Sequence, residues 1–310
     1  MSERTSGDAA SGADDDVVVS ERRALTNLAY RLLGSLTEAE DAVQEGYARW
    51  FSLGSTEQQE IVSPGAWLST VVSRICFDQL GSARARRERY VGEWIPEPVP
   101  TRAEWNERSL ATVAGDPADH ITLDETVEMA FLVVLDSMTP AERVAFLLHD
   151  VFGFPFNDIA TIVGRTPGAC RQLASSARNR LASARRADAP RQQRAGIVRE
   201  FRLAWQAKDL DALIRLLDPS VVATADGGGV ATASPVPIEG QDQVAAFLVF
   251  LASMAGRLDL RERSVNGQPG LVAVDGDTVL AVYAFELNRE RIHRIWAIRN
   301  PDKLRPWASR

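Results

Sequence analysis

The stretch Thr139–Leu181 leaves few folds open, because its start and stop signals alternate with apolar spacing three times over. Thr139 is a helix cap, Pro140 occupies the first helical position, and Glu142 three residues after the cap completes a capping box. Val144, Phe146, Leu147, Leu148 and Val151 make an apolar stripe that Gly153 and Pro155 end. Phe156, Ile159, Ala160, Ile162 and Val163 predict a second, short amphipathic helix, stopped at Gly164. A third begins with Thr166 and Pro167, and buries Cys170, Ala174, Ala177 and Leu181 along one edge. Its other face carries Arg165, Arg171, Gln172, Ser175, Ser176 and Arg178, side chains that donate to phosphates or to purine edges in a major groove. In a helix-turn-helix the second helix of the motif enters that groove, and Gly168 and Ala169 allow close approach. An ordinary helical hairpin with a solvated basic face is the bland alternative. Charge argues against it: between 160 and 195 eight Arg face one acid, Asp188, in a chain whose formal net charge is −7.

At 310 residues the chain predicts two or three domains. No run approaches the ~20 apolar residues of a membrane helix, and the polar, acidic N-terminus does not read as a signal peptide. Cys76 and Cys170 fall in separate predicted helices as small apolar fillers, which points to a reduced, cytoplasmic protein. His120, His149 and His293 show no metal-ligand spacing, so no metal, cofactor or catalytic set is expected.

Residues 1–17 form an acidic tail with little to bury and are expected to be disordered. Residues 18–90 predict a helical domain. Its first helix turns Leu25, Leu28, Ala29, Leu32 and Leu33 inward and stops at Gly34. The next is expected to start at Thr37, with Glu40 as capping-box partner, and to bury Ala39, Val43, Tyr47 and Trp50. Its opposite side carries Glu40, Asp41, Gln44 and Glu45, an acidic ridge suited to a basic partner helix. A polar loop over 54–64 leads into a helix with Trp67, Leu68, Val71, Val72, Ile75 and Leu80 inward and Ser69, Thr70, Ser73, Arg74 and Asp78 outside. It ends in Arg84, Arg86, Arg87 and Arg89, more cations than a helix terminus needs, which favours phosphate contact. Residues 91–117 are a linker that three prolines hold extended, with Trp94, Ile95 and Trp105 seeking apolar surface. A further helix over 118–137 opens the domain that runs to 187.

From 195 to 310 the pattern changes to an amphipathic helix over 196–217, strands at 220–225, 257–265, 269–275, 278–287 and 291–299, and a helix at 241–255. Asp226-Gly227-Gly228-Gly229 and Asp275-Gly276-Asp277 are turns. This predicts an α+β domain, helices on a curved antiparallel sheet whose concave face makes a pocket.

LAYRLLGSLTEAEDAVQEGYARW followed by PGAWLSTVVSRICFDQL resembles region 2 of the extracytoplasmic-function (ECF) RNA polymerase sigma factors of the sigma-70 family; 139–181 resembles their region 4. The tail resembles a SnoaL-like (nuclear-transport-factor-2-like) domain, and one subgroup combines all three. Its signatures stand here as Trp94-Ile95-Pro96-Glu97-Pro98, Asp226-Gly227-Gly228-Gly229 and Asn300-Pro301-Asp302-Lys303-Leu304, with Val230 where relatives often carry Lys. The resemblance implies a multidomain protein of two all-α sigma domains and a regulatory α+β domain, without enzymatic activity. It implies that Glu40, Asp41, Gln44 and Glu45 meet core polymerase (β′, with β also contacted), and that Arg74, Asp78, Arg84 and Arg87 handle a promoter −10 element. Arg165, Arg171, Gln172, Ser175 and Arg178 then handle the −35 duplex, and the linker enters the polymerase channel. It further implies regulation in cis through the three signature motifs, with no dedicated anti-sigma partner and no membrane.

SnoaL-like folds also serve as isomerases and cyclases, for which Asp226, Asp242, Tyr283 and His293 are the candidates here, and as sensors with a small molecule in the pocket. A helix-turn-helix regulator fused to such a domain is the competing reading; the acidic ridge and the second basic helix argue against it.

Overall fold

The computed structural model describes residues 21–87, 90, 92–100, 128–184, 191–254 and 259–308, with side chains described outside 83–87 and 191. The acidic tail and the linker beyond residue 100, including Trp105 and the start of the 118–137 helix, lie outside the described residues. The chain divides into two compact units. One takes in the described residues up to 85 together with 136–180; the other takes in Tyr90, the linker at 92–100, 128–135 and everything from 181.

The first unit opens with α1 (Arg22–Leu33), ended by left-handed Gly34, and α2 (Leu36–Phe51). The cap of α2 is Ser35, whose Oγ accepts from Glu38 N, and not the expected Thr37. Ser35 is the better fit because its extended backbone (φ −133°, ψ 128°) turns the hydroxyl toward the first free amides. A short helix α3 (Ser55–Glu60) occupies what reads as a plain polar loop; Glu57 reaches back to the Gly54 amide at 2.8 Å. Then α4 (Pro64–Arg87) packs on α2 so closely that a Cβ on Gly46 would sit 2.7 Å from Val72. Trp67 is half-buried, edge-on to Trp50 at 5.4 Å, and Tyr47 is half-exposed. Ser73, expected outside, is buried and donates to Ser69 O at 2.6 Å.

After α5 (Met129–Asp136) come α6 (Pro140–Phe146), a π-helical turn (Leu147–Val151), α7 (Phe156–Val163) and α8 (Pro167–Ala184). The capping box at Thr139 and Glu142 forms as the sequence predicts. Arg143 is buried and ties the two halves of this unit, donating to Leu32 O at 3.0 Å and to Asp136 at 2.8 Å.

In the second unit the helix expected over 196–217 is two, α9 (Arg191–Ala207) and α10 (Leu210–Leu216), broken where Lys208 takes a positive φ and Asp209 caps α10. The sheet runs β2-β1-β6-β5-β4-β3, from β1 (Leu217–Asp226), β2 (Ile238–Glu239), β3 (Asp259–Val265), β4 (Gln268–Asp275), β5 (Thr278–Asn288) and β6 (Arg291–Ile298), with α11 (Gln241–Met254) between β2 and β3. It is mixed and not wholly antiparallel, since β1 pairs parallel with β6. Register shifts in β1, β4 and β5 bend it.

Successive side chains serve opposite faces. On the face that packs against α9 and α11, Phe201, Trp205, Tyr283 and Phe285 meet tilted or edge-on with centroids 5.1 to 5.8 Å apart, and Trp205 Nε1 donates to Leu248 O at 2.7 Å. The other face gathers Val272, Val274, Val282, Ala284, Trp296 and Ile298, covered by Ile95 of the linker, Met129 of α5 and Leu304.

Candidate functional site

The three signature motifs meet at one buried carboxylate. Asp226 ends β1 with no exposed surface. Its register with Ile298, and of Ile298 with Val282, places it on the face turned toward the linker. Oδ2 takes Lys303 Nζ at 2.6 Å and the Ile95 amide at 3.0 Å; Oδ1 takes the Tyr90 hydroxyl at 2.6 Å and the Gly228 amide at 3.0 Å. Four donors on two oxygens satisfy a buried carboxylate, which is what its desolvation demands. The Asp226 carbonyl accepts from the Arg299 and Asn300 amides, so backbone and side chain together hold the chain after β6.

Lys303 returns the connection to the linker. Its ammonium donates to Ile95 O as well as to Asp226, and lies 4.2 Å from the Trp94 ring centroid and 5.4 Å from that of Tyr90. Asn300 Nδ2 donates to the Tyr90 oxygen at 2.8 Å. Burial, and then the bond to Asp226, push the Tyr90 hydroxyl far above its ordinary pKa, so it stays a donor. Gly228 has φ +63°, and a Cβ there would meet the Asn300 amide group at 2.5 Å, so this turn residue accommodates only glycine. Further along, Trp307 Nε1 donates to Pro98 O at 2.8 Å, Val99 and Asn266 exchange bonds of 2.8 and 3.1 Å, and Pro100 bridges Val265. Pro96, Glu97 and Pro98 are buried, with Glu97 only 2% exposed.

Of the candidates for this contact, Trp94, Pro98, Asp226, Gly228, Asn300, Lys303 and Leu304 thus come together at or beside the linker, in which Pro96 and Glu97 are buried, whereas Gly227 packs on Ala231 of its own turn. Gly229, Pro301 and Asp302 do not; they are exposed, and Asp302 donates its amide to Asn300 within its own turn. Tyr90, the Ile95 amide, Asn266 and Trp307 were missed by sequence reasoning. Backbone amides carry no sequence signal, and a lone Tyr after an Arg-rich helix has no pattern to betray a partner 136 residues on.

The enzyme candidates are dispersed. Tyr283 faces the core opposite Asp226, its pKa pushed by burial up to about 12. Asp242 is exposed at the start of α11, and His293 stands 3.9 Å from Asp218. Among the described residues no cluster of three or more His, Cys, Asp or Glu could hold a metal, and no helix is long and apolar enough to cross a membrane.

In the first unit Glu40, Asp41, Gln44 and Glu45 lie exposed along one side of α2, with Arg49 paired to Glu45. Arg74 and Asp78 are exposed on α4; the side chains of Arg84 and Arg87 lie outside those described, as does Arg89 altogether. Arg165, Arg171, Gln172, Ser175 and Arg178 are all exposed on or just before α8, opposite buried Cys170, Ala174 and Ala177. Ser176 instead turns inward and donates to Glu142 at 2.7 Å. Burial alone would raise the Glu142 pKa, but bonds from Ser176 and Thr139 and the charge of Arg180 outweigh it and hold the carboxyl below its ordinary value.

Residues 17–86 match the sigma-70 region 2 family and residues 128–181 match sigma-70 region 4. The chain is 37% identical over 299 residues to the ECF RNA polymerase sigma factor SigJ of Mycobacterium tuberculosis, covering 91% of this chain and 90% of that one. The chain belongs to the ECF RNA polymerase sigma factors. It is also 34% identical over 287 residues to the probable ECF sigma factor SigI of the same species, covering 92% of each. The crystal structure of Mycobacterium tuberculosis SigJ superposes with a TM-score of 0.70 at 33% identity, covering 94% of this chain and 97% of that one. In this sigma factor α1 to α4 are region 2, α6 to α8 with the π turn are the bulk of region 4, and the SnoaL-like domain supplies the sheet. The first helix of region 4, α5, groups with that sheet: Met129 joins its apolar cluster and Glu128 accepts from Gln268 at 2.8 Å.

Proposed function

We propose that this sigma factor directs core RNA polymerase to promoters and that its SnoaL-like domain regulates it in cis by holding the interdomain linker. The exposed ridge of Glu40, Asp41, Gln44 and Glu45 docks on a basic helical surface of the β′ subunit, with β contacted in addition. Arg74 and Asp78, with Arg84 and Arg87 beyond them on α4, engage the −10 element. Arg165, Arg171, Gln172, Ser175 and Arg178 engage the −35 duplex. The setting is the cytoplasm, where polymerase and chromosome are.

The observation that carries the regulatory part is the buried Asp226–Lys303 pair closed around the Ile95 peptide. A linker that must thread into the polymerase is here folded into a third domain. Silencing such a protein needs the held state favoured by only a few kcal/mol, and moving it from 1:99 to 99:1 needs about 5.5 kcal/mol of differential binding from the polymerase. A contact in cis is compatible with a separate anti-sigma partner, and nothing in its geometry argues against one.

Run-off transcription with core polymerase tests the reading, comparing the full chain with one ending near residue 190 and one lacking residues from 300 onward. Promoter-dependent transcripts from the full chain, with altered output once residues 300 onward are gone, are expected. Unchanged output in the last would remove the regulatory role, and failure of the full chain to associate with core polymerase would remove the rest.

A further inference from the structure

Two arginines on the exposed face of α8 meet partners outside that helix, Arg178 on Asp150 of the π-helical turn and Arg171 on Phe156 at the start of α7. Asp150 Oδ1 accepts from Arg178 Nε at 2.9 Å. His149 lies against the Phe156 ring with centroids 3.9 Å apart, its Nδ1 3.1 Å from Phe154 O, and the Arg171 guanidinium sits over the same ring, 5.4 Å from the Phe156 centroid. Insertions of this helical type concentrate where a helix has been adjusted for function. We propose that Asp150 and Phe156 are positioning residues that set the direction of Arg178 and Arg171, and thereby the discrimination among −35 sequences. This rests on the −35 reading of α8 given above.

Chemistry favours positioning over mere attachment. Asp150 engages Nε and leaves the two terminal nitrogens of Arg178, the pair that forks onto guanine O6 and N7, without another partner among the described residues. A free arginine loses most of its rotamer freedom on binding a base, and a pre-set one loses less. Phe156 does the same for Arg171 from the ring face, leaving the donors at the guanidinium edge available. Both partners of the Asp150–Arg178 pair are partly exposed, and such pairs add little to stability. A carboxylate beside a DNA-facing helix also repels phosphate. Asp150 therefore opposes binding to any duplex while favouring the right one, and those opposite signs make the inference testable.

Holoenzyme assembled from the full chain and core polymerase would be challenged with promoters randomised over the −35 element, and bound sequences counted for the native chain, D150N, D150E, F156L and R178A. Melting temperatures of the free variants serve as the folding control. R178A should lose roughly tenfold discrimination at one position. D150N should lose about threefold at that same position while its binding to unselected duplex rises, and D150E should recover discrimination. F156L should relax a different position, the one read by Arg171. An unchanged D150N profile, or a uniform change at every position, overturns the inference while leaving the −35 reading intact. An unchanged R178A profile removes Arg178 from the −35 readers and overturns the Asp150 half of this inference, and an unchanged F156L profile overturns the Phe156 half.

Discussion

Asp226 and Lys303 show what a single pair of charges does when both are taken out of water. Each ion buried alone is costly, and together they break about even with an apolar pair, so removing one partner is far worse than removing both. Lys303→Ala leaves the carboxylate buried with only neutral donors and should destabilise the second unit by about 3–5 kcal/mol in urea unfolding. Asp226→Asn combined with Lys303→Met should cost much less than the sum of the single changes; strict additivity would mean the two groups do not act as a pair. Glu142 supplies a pH signature. Its pKa is depressed in the folded chain, despite burial, by Ser176, Thr139 and Arg180. Its contribution is thus complete above its ordinary value of 4.5 and is lost as pH falls below it toward the folded value. Ser176→Ala should flatten that acid limb in melting temperature against pH, and an unaltered limb would assign the sensitivity elsewhere.

Among elements, α2 carries two separable properties. Its start depends on Ser35, so Ser35→Ala should cost about 1 kcal/mol, whereas Thr37→Ala, at an exposed position inside the helix, should be near neutral by thermal melting. Its ridge is solvated: Glu40, Asp41 and Glu45 are exposed, and only Glu45 has an ion-pair partner among the described residues, Arg49. Reversing their charge to Lys should leave the melting temperature within a degree or two while abolishing association with core polymerase on a sizing column. Retained association would refute the docking role of the ridge. The helix pattern of α2, α4, α6, α7 and α8 was readable because each buries one stripe at 3.6 spacing between recognisable caps. The miss at Thr37 has a plain cause, since Ser35 and Thr37 are both good caps two residues apart, and only the backbone angles distinguish them. The break at Lys208 was hidden because the apolar period continues across it and the stop is a positive φ at a residue with no special preference for one.

At the scale of the whole molecule the linker is the element that changes neighbours in the proposed cycle. Ile95 N is buried and bonded to a carboxylate, so its hydrogen exchange in the free chain should be slow, track opening of the Asp226 site, and accelerate in Asp226→Ala. On binding core polymerase that protection should vanish while amides of β5 and β6 keep theirs; persistent protection at Ile95 in the holoenzyme would show that the linker never leaves.

Sequence alone determined the family, the helical character of both sigma regions, the basic face of α8, the acidic face of α2 and the α+β character of the tail. The family is legible through the resemblance of its motifs; the rest are properties of local period and composition, which neighbouring residues enforce without help from afar. Tertiary structure decided the parallel pairing of β1 with β6, the packing of Phe201, Trp205, Tyr283 and Phe285 into one core, and the meeting of Tyr90, Ile95, Asp226 and Lys303 at one point. The Lys303–Ile95 contact alone joins residues 208 positions apart. Such contacts are selected by the desolvation of a few buried groups that must find partners wherever the fold provides them, and no local pattern encodes that requirement.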